Sequence, residues 1–155
     1  MKASVLFVCL GNICRSPLAE AALRDEAQRL GLDLEIDSAG TGDWHIGHPP
    51  DPRAAAIARK NGVDISHLRA RQVTADDFRR FDHIVALDET NLADLRTLRP
   101  RDAKAELSLL LDHVHGREGE AVADPYYGPE GGFAATWADV TAGARALARR
   151  IAGKA

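Results

Sequence analysis

The sequence predicts an α/β protein: one domain, residues 1–155, built on a four-stranded parallel sheet with helices on both faces. Two observations carry that prediction. Short β-prone apolar runs alternate along the chain with helical stripes, which is the pattern of a parallel sheet joined by crossover helices. The first run, Ser4 to Cys9, is apolar at nearly every position rather than at every second one, as expected of a strand covered on both faces.

The elements follow in order. Ser4–Cys9 is the first strand and Gly11 to Ser16 a turn, after which Pro17 suits the first turn of a helix. Leu18, Ala22, Leu23, Ala27 and Leu30 give that helix one apolar face, and Gly31 stops it. Leu34–Ser38 is the second strand, followed by a Gly- and Pro-rich loop from Ala39 to Pro52. A helix runs from Pro52 to Lys60 and ends at Asn61-Gly62. Thr74 opens a short helix with Asp77 in capping-box position. His83–Leu87 is the third strand, and a helix through Asn91–Leu98 follows, ended by Pro100. Glu106–Leu111 is the fourth strand, although a helix fits the same residues. After a loop from Glu118 to Gly132, the recurrence of Phe133, Trp137, Val140, Ala144, Leu147 and Ile151 marks a long amphipathic helix.

Composition narrows the function. The 155 residues are 45% hydrophobic and 28% charged, enough for one soluble domain with its own core. A net charge of −3 and 5% aromatic content disfavour nucleic-acid binding. No run approaches the roughly 20 apolar residues of a membrane span, and Val5–Leu10 is too short, and wrongly flanked, for a signal peptide. The two cysteines, Cys9 and Cys14, make neither a disulfide framework nor a zinc site. A reactive thiol in a reducing, cytoplasmic compartment is the reading that remains. His45 and His48, like His113 and His115, lack further ligands and are read as surface or packing residues, so no metal and no cofactor are expected.

The chemistry concentrates in Cys9-Leu10-Gly11-Asn12-Ile13-Cys14-Arg15-Ser16-Pro17, which leaves a strand and enters a helix. The first N–H groups of a helix lack intrahelical partners and, with the helix dipole, attract anions. Gly11 permits a tight turn and Asn12 tolerates a left-handed conformation, so successive N–H groups can curl around a phosphate. A thiol at the head of such a loop is favoured as thiolate. Arg15 offers a planar fork for two phosphate oxygens, a residue otherwise out of place at a helix start. Ser16, beside Cys9, could donate a hydrogen bond to it.

This string, C-L-G-N-I-C-R-S-P, resembles the phosphate-binding loop of the low-molecular-weight protein-tyrosine phosphatase family. The resemblance continues through Asp37-Ser38-Ala39-Gly40-Thr41, Trp44-His45, Asp51-Pro52-Arg53, Ala70-Arg71-Gln72, Asp88 with Asn91–Leu95, and Asp124-Pro125-Tyr126-Tyr127-Gly128. It implies that Cys9 is the nucleophile, that Arg15 holds phosphate with the loop from Leu10 to Ser16, and that Asp124 is the general acid. Ser38 then supports the loop and Asp88 steadies Arg15. Trp44 and His45 wall the substrate ring, with Tyr126 or Tyr127 opposite. Cys14 is either a packing residue or, as the resemblance implies, the redox partner of Cys9. The family commonly places a histidine with a single residue between it and Ala-Arg-Gln, helping to hold the loop asparagine; here Leu68 and Arg69 intervene, so His67 stands one position early.

The activity implied is hydrolysis of phosphotyrosine and aryl phosphates through a phosphocysteine. The partners implied are phosphotyrosine proteins, a bacterial tyrosine kinase among them, with the enzyme a monomer. Two other readings use the same loop. An arsenate reductase of this fold would need further cysteines downstream, and none follows Cys14. A non-catalytic phosphoprotein-binding module would need no acid such as Asp124.

Overall fold

Ala3–Cys9 forms β1, whose residues Val5 to Val8 are fully buried. The computed structural model describes residues 2–126, 128 and 132–153. β1 lies inside a four-stranded, all-parallel sheet with Leu34–Gly40 (β2) on one side and His83–Ala86 (β3) on the other, and Glu106–Leu109 (β4) beyond β3. Registers run Ala3 to Leu34 through Cys9 to Gly40, Val5 to His83 through Val8 to Ala86, and His83 to Glu106 through Ala86 to Leu109.

Side chains alternate across a strand. Val5, Phe7 and Cys9 therefore face one core, shared with Arg15–Leu30 (α1), Pro52–Lys60 (α2) and Gly132–Gly153 (α5). Leu6 and Val8 face the other, shared with Asp77–Arg80 (α3) and Glu89–Leu98 (α4). This double cover explains the unbroken apolar run of β1.

The chain moves from β1 outward to β2, then crosses back past β1 to β3. The crevice opens at that reversal, beyond the carboxyl end of β1. Cys9 is the last residue of the strand there.

Local chemistry sets the ends of the helices. Gly31 closes α1 at φ 68°, and the N–H groups of Gly31 and Leu32 cap the carbonyls of Gln28 and Ala27. Asp51 caps α2 by accepting the Arg53 N–H at 2.8 Å, with Pro52 in the first helical position. Asp88 caps α4 through the Asn91 N–H at 2.8 Å. On α5, Phe133, Val140, Ala144 and Leu147 are buried, and Trp137 and Ile151 partly so, as their spacing predicts.

Apart from one-residue shifts at the start of β1 and the end of β3, four boundaries depart from the sequence reading. The turn expected through Ser16 closes at Cys14, since α1 already starts at Arg15. β2 runs on to Gly40, where Gly40 bridges to Gln72. The helix expected from Thr74 begins at Asp77, because the capping box is half made: the Asp77 carboxylate accepts the Thr74 N–H at 2.8 Å but is also gripped by Arg71. β4 stops at Leu109, not Leu111, because Asp112 accepts the Leu109 N–H at 3.1 Å and Leu110–His113 winds into a 3₁₀ turn.

Candidate active site

The loop from Cys9 to Arg15 turns its carbonyls outward. Those of Cys9, Leu10, Ile13 and Cys14 accept from the N–H groups of Thr41, Gly42, Asp51 and Leu18. Among the described residues, the N–H groups of Gly11 to Cys14 donate to no backbone carbonyl, and the loop concentrates donors on its inner side. Asn12 adopts φ 57°, the left-handed conformation anticipated for it. Gly40 is required behind the loop: a Cβ there would stand 2.8 Å from the Leu10 carbonyl oxygen.

Asn12 fastens the loop from behind. Its Nδ2 donates to Ser16 Oγ at 2.8 Å and to Ser38 Oγ at 3.0 Å, and its Oδ1 accepts the Arg71 N–H at 3.0 Å. Ser38 thus backs the loop through Asn12. His67 is exposed and takes no part; the Arg71 backbone does the holding on that side. Ser38 in turn donates at 2.7 Å to Glu20, a carboxylate only 1% exposed, whose other oxygen receives Nε and Nη2 of Arg24. Glu20 and Arg24 were not singled out from sequence. The signal available was a charge inside an Ala/Leu face with a partner four residues on.

Cys9 Sγ lies 3.0 Å from Ser16 Oγ. Arg15 is buried and donates through Nη1 to Asp88 at 2.7 Å and to the Val122 carbonyl at 3.0 Å, while Nη2 lies 3.6 Å from Asp124. Burial works against the guanidinium's charge, but Cys9, Asp88 and Asp124 outweigh it and raise its pKa above the ordinary arginine value. Burial and the charge of Asp51 push the Cys14 thiol up, so Cys14 is a thiol at neutral pH.

These groups line a cleft of about 370 Å³. Cys9, Gly11, Cys14 and Arg15 form its floor, with Ile13 and Leu10 beside them. Asp124, Tyr126, Trp44 and His45 complete its lining. The His45 and Tyr126 rings neighbour each other, with centroids 6.4 Å apart. Trp44 is 66% exposed and belongs to the rim, not the core; its ring lies where a side chain at Gly42 would collide with it. Tyr127, the alternative to Tyr126, lies outside the described residues. Among the described residues no group of three or more His, Cys, Asp or Glu is arranged to hold a metal ion.

A thiol ringed by N–H donors, a buried guanidinium and an opposing carboxylate can take a phosphoryl group and protonate what leaves it. A model of the low molecular weight phosphotyrosine protein phosphatase family matches residues 4–155.

The chain belongs to that family.

A relative of the same description from Schizosaccharomyces pombe is 46% identical over 132 residues, 83% of this chain and 84% of its own length. The crystal structure of YfkJ from Bacillus subtilis superposes with a TM-score of 0.92 at 40% identity, covering 99% of this chain and 97% of that one. A Drosophila arginine phosphatase superposes with a TM-score of 0.90 at 32% identity, covering 97% and 98%. The segment that sequence alone singled out, Cys9 to Ser16, falls inside the matched region.

Proposed function

We propose that this member of the family hydrolyses phosphotyrosine through a phosphocysteine on Cys9, with Arg15 as phosphate clamp and Asp124 as general acid. The protein is a protein-tyrosine phosphatase; the roles of individual residues are our reading. The observation that carries it is the placing of Cys9, Arg15 and Asp124 around one cleft floor.

The Cys9 thiolate attacks phosphorus in line with the ester oxygen. The S–P bond forms as the P–O bond breaks, and Asp124 delivers its proton to the departing phenolic oxygen. Charge on the three equatorial oxygens is met by the loop N–H groups and the Arg15 fork. Asp124, now ionised, takes a proton from water as that water displaces sulfur, which releases phosphate and restores the thiolate. Ser16, at 3.0 Å, stabilises the leaving sulfur.

Apolar flanks support an aromatic substrate. Ile13, Trp44 and Tyr126 line the path to the floor, so a tyrosyl ring has surface on either side, whereas phosphoserine lacks the length. The similarity to an arginine phosphatase gives phosphoarginine as a second reading. A guanidinium in that position would meet Asp124 among Ile13, Trp44, His45 and Tyr126.

The test is hydrolysis of p-nitrophenyl phosphate and of matched phosphotyrosine, phosphoserine and phosphoarginine peptides by wild type and Cys9→Ser. Turnover confined to wild type and to the aryl esters supports the proposal. Equal turnover in both proteins, or a preference for phosphoarginine, overturns it. As physiological setting we propose the cytoplasm, a monomer, and tyrosine-phosphorylated proteins, a bacterial tyrosine kinase included. No helix among the described residues is long and apolar enough to cross a membrane.

A further inference from the structure

Asp124 sits on a stretch without regular structure, and something must fix it over the cleft. Its own Oδ1 accepts the Tyr126 N–H at 3.1 Å, which closes a local turn and leaves Oδ2 facing Arg15. A side chain from another element holds this turn: Arg53 of α2 donates through Nη2 to the Tyr126 carbonyl at 3.1 Å, while the Thr136 hydroxyl of α5 lies nearer its own helix's Gly132 carbonyl (3.0 Å) than that of Ala123 (3.4 Å).

Arg53 is itself held rigidly. Its Nε and Nη2 make a two-point pair with the Asp51 carboxylate at 3.0 and 2.9 Å. Its guanidinium carbon lies 4.7 Å from the centre of the Phe133 ring and 5.5 Å from that of Tyr126, in reach of cation–π attraction. Asp51 is buried, and its N–H donates to the Ile13 carbonyl of the phosphate loop at 2.9 Å. One ion pair therefore touches the phosphate loop at Ile13 and the acid loop at Tyr126.

We infer that Arg53, braced by Asp51, is a positioning residue that sets the acid loop in register with the phosphate loop and so places the Asp124 carboxyl at the leaving-group oxygen. A lysine could not reproduce it, because a single ammonium cannot grip two carboxylate oxygens in a plane while donating to a carbonyl. The Arg53 guanidinium is held firmly protonated by its hydrogen bonds with Asp51, and Asp51 in turn is kept below the usual carboxylate range by Arg53. The brace therefore stays charged through neutral and mildly acidic pH.

The inference rests on Asp124 being the general acid, and the experiment separates the two. A displaced acid harms a poor leaving group more than a good one. We would compare kcat/KM for phenyl phosphate and p-nitrophenyl phosphate in wild type, Arg53→Ala, Arg53→Lys, Asp124→Ala and the double variant Arg53→Ala/Asp124→Ala. The inference expects Arg53→Ala to lose about tenfold on phenyl phosphate, part of the 10²–10⁴ a general acid supplies, and under about threefold on p-nitrophenyl phosphate. It expects Arg53→Lys to lose almost as much, and the Arg53 effect to vanish once Asp124 is gone. Equal losses on both substrates, or an undiminished Arg53 effect in the Asp124→Ala background, overturn it. If Asp124→Ala alone leaves the leaving-group dependence unchanged, the acid assignment itself fails. Should Arg53→Ala not fold, Arg53→Lys and Arg53→Gln carry the same comparison.

Discussion

Ser16 Oγ stands 3.0 Å from Cys9 Sγ, and the groups behind Ser16 decide which way its proton points. Arg24 can only donate to Glu20, so Ser38 gives its proton to the other Glu20 oxygen. Ser38 must then accept from Asn12, whose amide orientation is fixed by the Arg71 N–H on Oδ1. The second Asn12 hydrogen goes to Ser16, so the Ser16 hydroxyl is left to donate, and its nearer acceptor is Cys9 at 3.0 Å, against the Ala39 carbonyl at 3.5 Å.

A hydrogen bond to the charged form favours that form. Ser16→Ala should therefore slow kcat for p-nitrophenyl phosphate about tenfold, by removing the donor that meets the sulfur as it leaves phosphorus. Glu20→Gln, which can donate as well as accept, should lose part of that. A rate equal to wild type in both variants would remove the relay from the account.

Asp88 has two duties that substitution can separate. It pairs with the buried Arg15 at 2.7 Å and caps α4 at 2.8 Å. Asp88→Asn keeps a capping group but leaves Arg15 short of its partner, and should cost about 3 kcal/mol in urea denaturation. Asp88→Ala should cost about 1 kcal/mol more through the lost cap. Both should weaken phosphate binding. A loss under about 0.5 kcal/mol for Asp88→Asn, the range of ordinary surface changes, would show that the pair contributes little.

His113 should make stability depend on pH. Arg150 Nη1 lies 3.3 Å from Nδ1 and can only donate, so Nε2 carries the proton and points to Ser108 Oγ at 2.9 Å. Burial and Arg150 lower its pKa from the ordinary histidine value. The unfolded chain therefore binds the proton first as pH falls, and stability is full above about 6.5 and declines below it. Replacing His113 with Gln should flatten the decline below about pH 6.5 by up to one proton's worth of slope. An unchanged slope would assign the decline to other groups.

Cys14 is a thiol at rest, so one equivalent of iodoacetate should label Cys9 and spare it. After peroxide has oxidised Cys9 to a sulfenic acid, attack by Cys14 expels water and leaves a disulfide that dithiothreitol reduces. Wild type should regain its activity and Cys14→Ser should not. Equal recovery would make Cys14 a packing residue only.

The sheet was legible because β1 is buried on both faces and α5 on one, and burial writes itself into residue type. The phosphate loop was legible because thiol, glycine, asparagine and arginine have few other reasons to share one strand-to-helix turn. Asp51-Pro52-Arg53 could be seen as a family-like string, but not its reach to Ile13 and Tyr126, which only packing of α2 against both loops creates. Glu20 and Arg24 were hidden for the same reason: their partner Ser38 lies on another element. The end of β4 was misread because Leu110 and Leu111 are as apolar as strand residues, and the side chain that turns the chain there is Asp112.

The central claim is that phosphate passes through sulfur at Cys9. The direct measurement is mass spectrometry of peptides from protein acid-quenched while turning over p-nitrophenyl phosphate, with wild type and Cys9→Ser in parallel. The account predicts one phosphoryl group on the peptide containing Cys9 in wild type and none in Cys9→Ser. An unmodified Cys9 in actively turning-over protein, or a phosphoryl group on another residue, would contradict it.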